Sequence, residues 1–174
     1  MAKTDQISVF LPNTPGELLK LCDHLKRENV NILAISIQNA KDYVEELFKA
    51  RERSGRRIVL AESYRGVLRE SSDYSVIRLL VDQPEKAENV LHNAEYSVDV
   101  EPVICLTLTN KPGVLGEVAG RFAQAEINID YVYGSAMEVA KESIFVVHIP
   151  DIEKGLSLFE DWNQRPGVRT RESE

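Results

Sequence analysis

The chain has 174 residues, of which 43% are apolar and 28% charged, with a mean hydropathy of -0.25, a balance that fits one large water-soluble domain or two small ones. No uninterrupted apolar run exceeds four residues, far short of the ~18 that a membrane-spanning helix needs, and the opening MAKTDQISVF has no apolar h-region or small-residue cleavage site. The net charge of -7 offers no general attraction to phosphate backbones or anionic lipid. The expectation is a cytoplasmic protein without nucleic-acid or membrane partners, in which Cys22 and Cys105, 83 positions apart, are buried thiols of a reducing compartment.

In chain order, Ile7, Val9 and Leu11 alternate with more polar positions and predict a half-buried strand. The turn Asn13-Thr14-Pro15-Gly16 follows, then Leu18, Leu21, Cys22 and Leu25 at helical spacing, the signature of an amphipathic helix. Asn31 opens a second strand rich in Ile, Val and Tyr. A third strand is predicted over 74–81, then a helix with Ala87, Val90, Leu91 and Ala94 on one face, then a fourth strand over 96–100.

The same series then recurs. Segment 7–37 aligns without a gap on 104–134 at a constant offset of 97, with identities at Ile7/Ile104, Leu11/Leu108, Asn13/Asn110, Pro15/Pro112, Gly16/Gly113, Leu18/Leu115, Asn31/Asn128 and Ile32/Ile129. Segment 76–94 lies over 144–162 at an offset of 68, so the first copy carries 29 extra residues (97 minus 68) between Gln38 and Asp73. The second copy has a strand at 143–149, then Leu158, Phe159 and Trp162 on a helix face, and a tail with only a weak or missing last strand. On the first helix of the second copy, Gly116 and Gly120 form a stripe where another backbone is expected to come close. The order β-α-β-β-α-β in each copy predicts an α+β protein of two ferredoxin-like modules, side by side, with antiparallel sheets and helices on one face. The first module spans 1–101, with its insertion within 39–72, and the second 102–174.

Tandem copies of apolar strand, Asn-x-Pro-Gly-x-Leu, amphipathic helix and Asn-Ile resemble the ACT domain, the small amino-acid-sensing module attached to many biosynthetic enzymes. With no catalytic domain alongside, the chain is similar to stand-alone tandem ACT proteins. The resemblance implies a ligand held where the Pro-Gly loop of one module meets the start of the second strand of its neighbour. The family pattern then falls on Asn13, Gly16 and Asn31 with Ile32 in copy one, and on Asn110, Lys111, Gly113, Val114, Leu115 and Asn128 with Ile129 in copy two.

The chemistry of that loop can be stated independently. A Pro-Gly turn feeding a helix presents free backbone N–H groups and the positive end of the dipole, both suited to a carboxylate. The Asn110 amide both donates and accepts, which suits a zwitterion, whereas Asn before such a turn can also simply cap the helix. Glu17 stands where copy two has Val114; its charge repels an incoming carboxylate, so the second loop is the stronger candidate. Val114, Leu115 and Ile129 lean toward a branched or aromatic ligand.

The insertion is the most individual segment. Residues 41–72 hold eight basic and six acidic residues, net +2, against 13 basic and 22 acidic, net -9, in the other 142. Tyr43, Val44, Leu47, Phe48 and Ala50 share a helix face that Ser54-Gly55 ends. It reads either as a docking element or lid with a basic rim, or as an extra helix with a solvated charged face.

Catalytic and metal constellations are not found: His24, His92 and His148 fall in different elements without metal-ligand spacing, and Cys22 and His24 point about 100° per residue apart around a helix. No cofactor, metal or enzymatic activity is expected. The function expected is regulatory binding of a small amino acid between modules, passed to oligomerisation, with a homodimer anticipated, or to a partner. The alternative is a scaffold subunit docking on a biosynthetic enzyme or repressor; single-stranded RNA binding is disfavoured because ESIFVVHI lacks the basic-glycine-aromatic opening.

Overall fold

The computed structural model describes residues 1–39, 73–135 and 141–160. The predicted helix of the insertion, Trp162 and the last strand of copy two lie outside those residues. The elements are β1 (Ala2–Pro12), α1 (Glu17–Arg27), β2 (Ile32–Asn39), β3 (Tyr74–Val81), α2 (Pro84–Asn93), β4 (Ser97–Thr109), α3 (Val114–Gln124), β5 (Tyr131–Ser135), β6 (Glu142–His148) and α4 (Ile152–Ser157). All described strands form one antiparallel sheet in the order β2-β3-β1-β4-β6-β5.

The fold is therefore α+β with two ACT-like halves, but the halves are fused through their strands. The fourth strand expected over 96–100 and the first strand of copy two are one continuous β4 of 13 residues, more than twice the usual strand length. The expected division between 101 and 102 falls inside it. Its first half pairs with β1 through Ile7↔Val100, closing module one, and its second half opens module two. Strand β1 reciprocates, because Lys3↔Ile104 repeats the pair Ile7↔Val100 with the two strands exchanged. Each long strand is thus first in one module and last in the other. The place beside β4 that a last strand of module two takes in this topology is filled by residues 2–4.

The strand period separates the two faces. Ile7, Val9, Leu11, Ile77, Leu79 and Val81 pack under Leu21 and Leu25 of α1 and Ala87 and Leu91 of α2. Ile104, Leu106, Leu108 and Val147 pack under Val114, Val118 and Phe122 of α3, with Ile152 and Phe159. Phe122 and Phe159 meet at 5.2 Å between centroids. α4 is shorter than expected: Leu158 and Phe159 lie beyond its end, although Phe159 is still fully buried.

Loop chemistry repeats as well. Val30 N–H bonds Leu25 O at 3.0 Å and Ile127 N–H bonds Phe122 O at 2.9 Å, each closing a helix through a left-handed residue, Asn29 (φ 55°) or Glu126 (φ 55°). Among the described residues, apart from the backbone of α3 itself, nothing stands within 4 Å of a Cβ placed at Gly116 or Gly120, so the expected close approach is not seen there. Both sit on the outer surface of α3, away from the sheet.

The opposite face, which carries no helix among the described residues, is concave. Strands β2 and β5, at the two ends of the order, return into contact, and Ala34, Leu80, Val103 and Val146 form a third buried cluster inside the curl. No helix among the described residues is long and apolar enough to cross a membrane.

Candidate functional site

The two Asn-x-Pro-Gly loops have nearly identical geometry. Gly16 has φ 96° and ψ -16°, and Gly113 has φ 90° and ψ -15°, a left-handed conformation open to glycine at little cost. A Cβ at either would meet nothing within 4 Å among the described residues, so it is the left-handed backbone that calls for glycine there. Each loop is tied to the strand hairpin beside it: Asn13 N–H bonds Asp73 O and Asn110 N–H bonds Lys141 O, both at 2.7 Å.

Neither α1 nor α3 has a side-chain N-cap. The capping role open to Asn13 and Asn110 is thus not the one taken. In copy one, Ser75 Oγ donates instead to Asn13 Oδ1 at 3.3 Å, fastening the loop to β3. Sequence reasoning missed Ser75, although the offset of 68 pairs it with Ser143 and both are buried; small buried hydroxyls at equivalent positions were the available signal. The first amide of each helix is held by its own loop, Glu17 N–H by Thr14 O and Val114 N–H by Lys111 O, while the positive end of each dipole lies at the loop without a side-chain cap.

The loops differ in charge. Glu17 is held by Lys20, Nζ to Oε1 at 2.8 Å, and this bond raises the Lys20 pKa above its ordinary value. The expected repulsion is therefore offset by a local cation. At the matching position Val114 is buried in the core of module two, and its N–H bonds Lys111 O at 3.3 Å. Among the apolar side chains beside the loops, Leu18 (38% exposed) matches its repeat partner Leu115 (39%), and Leu19 is more exposed still (65%).

Within a module the loop and the second asparagine are at opposite ends of the strands, because the strand and helix between them run in opposite directions. Between modules they share an end. Since β1 and β4 are antiparallel, the 110–113 loop lies at the end of the sheet where Asn31 precedes β2, and the 13–16 loop at the end where Asn128 precedes β5. Asn31 and Ile32 line a cleft of about 390 Å³ with Cys22, Lys26 and Asp82. There Asn31 N–H donates to Asp82 Oδ1 at 2.8 Å, and Asp82 N–H to Asn31 O at 3.1 Å. Asn128 is exposed, with Nδ2 3.4 Å from Asp130 Oδ1, while Ile129 packs on the core of module two.

A family model described as the ACT domain pair matches residues 59–159, more than half of the chain. The chain belongs to the ACT domain family. Among solved structures it is similar to protein BT0572 from Bacteroides thetaiotaomicron, with 22% identity over 92% of this chain and 89% of that one and a TM-score of 0.67. It is also similar to the regulatory subunit of aspartate kinase from Thermus thermophilus, with 14% identity, 90% and 92% coverage and a TM-score of 0.50. The corresponding subunit from Thermus flavus has 15% identity, the same coverages and a TM-score of 0.50. At these identities the likeness is one of fold. No curated protein sequence matches the chain.

The ACT pair has no convergence of three or more His, Cys, Asp or Glu side chains fit for a metal ion among its described residues.

Proposed function

We propose that this ACT pair is a non-catalytic regulatory protein that binds a small amino acid between its modules, with the ligand carboxylate at the first turn of α3 or α1. The observation that carries this reading is the pair of left-handed glycine turns feeding helices without side-chain caps. Unsatisfied amides and the dipole favour an anion there, and the neighbouring module's Asn31 or Asn128 shares that end of the sheet to meet an ammonium group. The regulatory subunits among its structural neighbours support the same direction.

Occupancy is passed on by association. Leu18 and Leu115 are exposed to nearly equal extents, as are the repeat partners Ile35 (39%) and Val132 (40%). They form matching exposed apolar patches on the two modules, which favour pairing with a second copy in the cytoplasm.

The test is a thermal-shift panel of the common amino acids. A ligand at a hundred times its Kd stabilises by about 2.7 kcal/mol, several degrees in a chain of this size. Asn110→Ala is expected to abolish the shift. If no amino acid moves the melting temperature while a biosynthetic enzyme or repressor co-purifies stoichiometrically, the scaffold reading replaces this one. Light scattering after gel filtration reports the homodimer.

A further inference from the structure

The concave face opposite the described helices holds a polar cluster that the loop sites do not use. Gln6 and Ser8 alternate with Ile7 and Val9 along β1 and so face away from the helices, yet they are only 0% and 6% exposed. Across the concavity Gln6 Nε2 donates to the Tyr131 hydroxyl at 2.8 Å and to Ser8 Oγ at 3.2 Å. The Tyr131 hydroxyl donates to Glu101 Oε2 at 3.4 Å. The Arg78 guanidinium stands 4.4 Å from the centre of the Tyr131 ring and reaches Gln38 Oε1 at 3.4 Å. His148 stacks on the same ring at 4.8 Å, with 10° between planes. One side chain on edge strand β5 thus engages β1, β3, β4 and β6.

Closing the curl also has a cost. Gln6 Oε1 and the Tyr133 hydroxyl are buried with no partner among the described residues. Turning the Gln6 amide only changes which of its atoms is left over. Both groups would regain water if the β2–β5 seam opened, and leaving a buried donor or acceptor unpaired is unfavourable. The seam is therefore held by Tyr131 and opposed by two orphaned groups. Such opposition is what an element with two arrangements requires.

We infer that Tyr131 is the clasp of a conformational switch, a positioning residue whose contact with Gln6 holds the curled sheet shut and whose release opens the β2–β5 seam. Its trigger rests on the amino-acid-binding reading. Asn128, a candidate ligand residue, bonds Asp130, and Asp130 Oδ2 bonds His148 Nδ1 at 3.0 Å, against the face of Tyr131.

Hydrogen–deuterium exchange on the full chain tests the clasp. Tyr131→Phe keeps the ring between Arg78 and His148 and removes the hydroxyl. Amides of β2 and β5 are expected to exchange roughly tenfold faster, the equilibrium equivalent of about one net hydrogen bond, while those of β1 and β4 hold. Tyr133→Phe removes an orphaned hydroxyl and is expected to slow exchange in the same two strands. In a Gln6→Met background, Tyr131→Phe should add little, since only the long bond to Glu101 is then lost. Unchanged exchange at the seam, acceleration spread equally over all strands, or acceleration by Tyr133→Phe overturns the clasp. An amino acid found by thermal shift should alter seam exchange in the wild type but not in Tyr131→Phe; equal alteration in both overturns the trigger. If no amino acid binds, the ligand reading fails, and the exchange of the three variants still decides the clasp.

Discussion

Three glycine-to-alanine substitutions in module two separate backbone geometry from packing, because the same added methyl has a different consequence at each position. At Gly113 the methyl meets no atom within 4 Å, but φ is 90°. Holding an L-residue in a left-handed conformation costs about 1–2 kcal/mol. In a chain of this size each kcal/mol moves Tm by about 2–4 °C, so Gly113→Ala is expected to lower Tm by about 2–8 °C. At Gly120 the methyl again meets nothing within 4 Å, and φ is not left-handed. There alanine removes the helical penalty of glycine, about 0.8–1.0 kcal/mol, and Tm should rise by about 2–4 °C. At Gly155 the methyl runs into the Cδ1 atoms of Ile149 and Ile104 in the core. Overpacking of this kind costs about 1–3 kcal/mol, which outweighs the helical gain. Calorimetry of the three variants at fixed protein concentration and pH gives the order Gly120→Ala above wild type, with Gly113→Ala and Gly155→Ala below. An unchanged or raised Tm for Gly113→Ala refutes the left-handed turn, and with it the loop on which the ligand site is built. A lowered Tm for Gly120→Ala means that the outer face of α3 is covered by something other than the described residues.

Further outcomes follow from the core and its ionisable groups. Phe122→Ala, which empties a fully buried ring packed on Phe159, should destabilise by about 3–5 kcal/mol in urea denaturation and be felt first in module two. Glu126→Gly relieves a left-handed residue at the end of α3 and should stabilise by up to about 1 kcal/mol, with no effect on amino-acid binding measured by calorimetry. Burial raises the pKa of both Tyr131 and Tyr133 above that of a free phenol. A raised folded-state pKa gives stability that is complete below the unfolded value, about 10, and is lost as pH rises toward the folded values. Melting temperature should therefore fall above about pH 10, and phenolate absorbance should show a late-titrating part that Tyr133→Phe diminishes.

The duplication, the β-α-β-β-α series of each half and the turn glycines were legible because they depend on local rules: a period of two, a period near 3.6, and a Pro-Gly step before a helix. Asn13 shows where locality ends. Its place before the turn is consistent with a helix cap, yet its side-chain oxygen accepts from Ser75, which is 62 residues away. Glu17 was read as a bare charge, and Lys20 at i+3 holds it. Val114, next to the turn glycine, looked like a ligand contact, but the helix phase turns its side chain into the core.

By itself the sequence determined which segments become strands and helices, which strand faces bury against helices, and that there are two related modules, since hydrophobic period and turn chemistry act over a few residues. Only the tertiary structure decided that β1 and β4 each serve both modules, and that the sheet curls until β2 meets β5. Those outcomes depend on register between strands about a hundred positions apart and on accumulated twist, neither of which has a local signature. Gln6 and Ser8 illustrate the reason: polar residues alternating along a strand read as a solvated face, and they become a buried cluster only once the far edge of the same sheet folds over them.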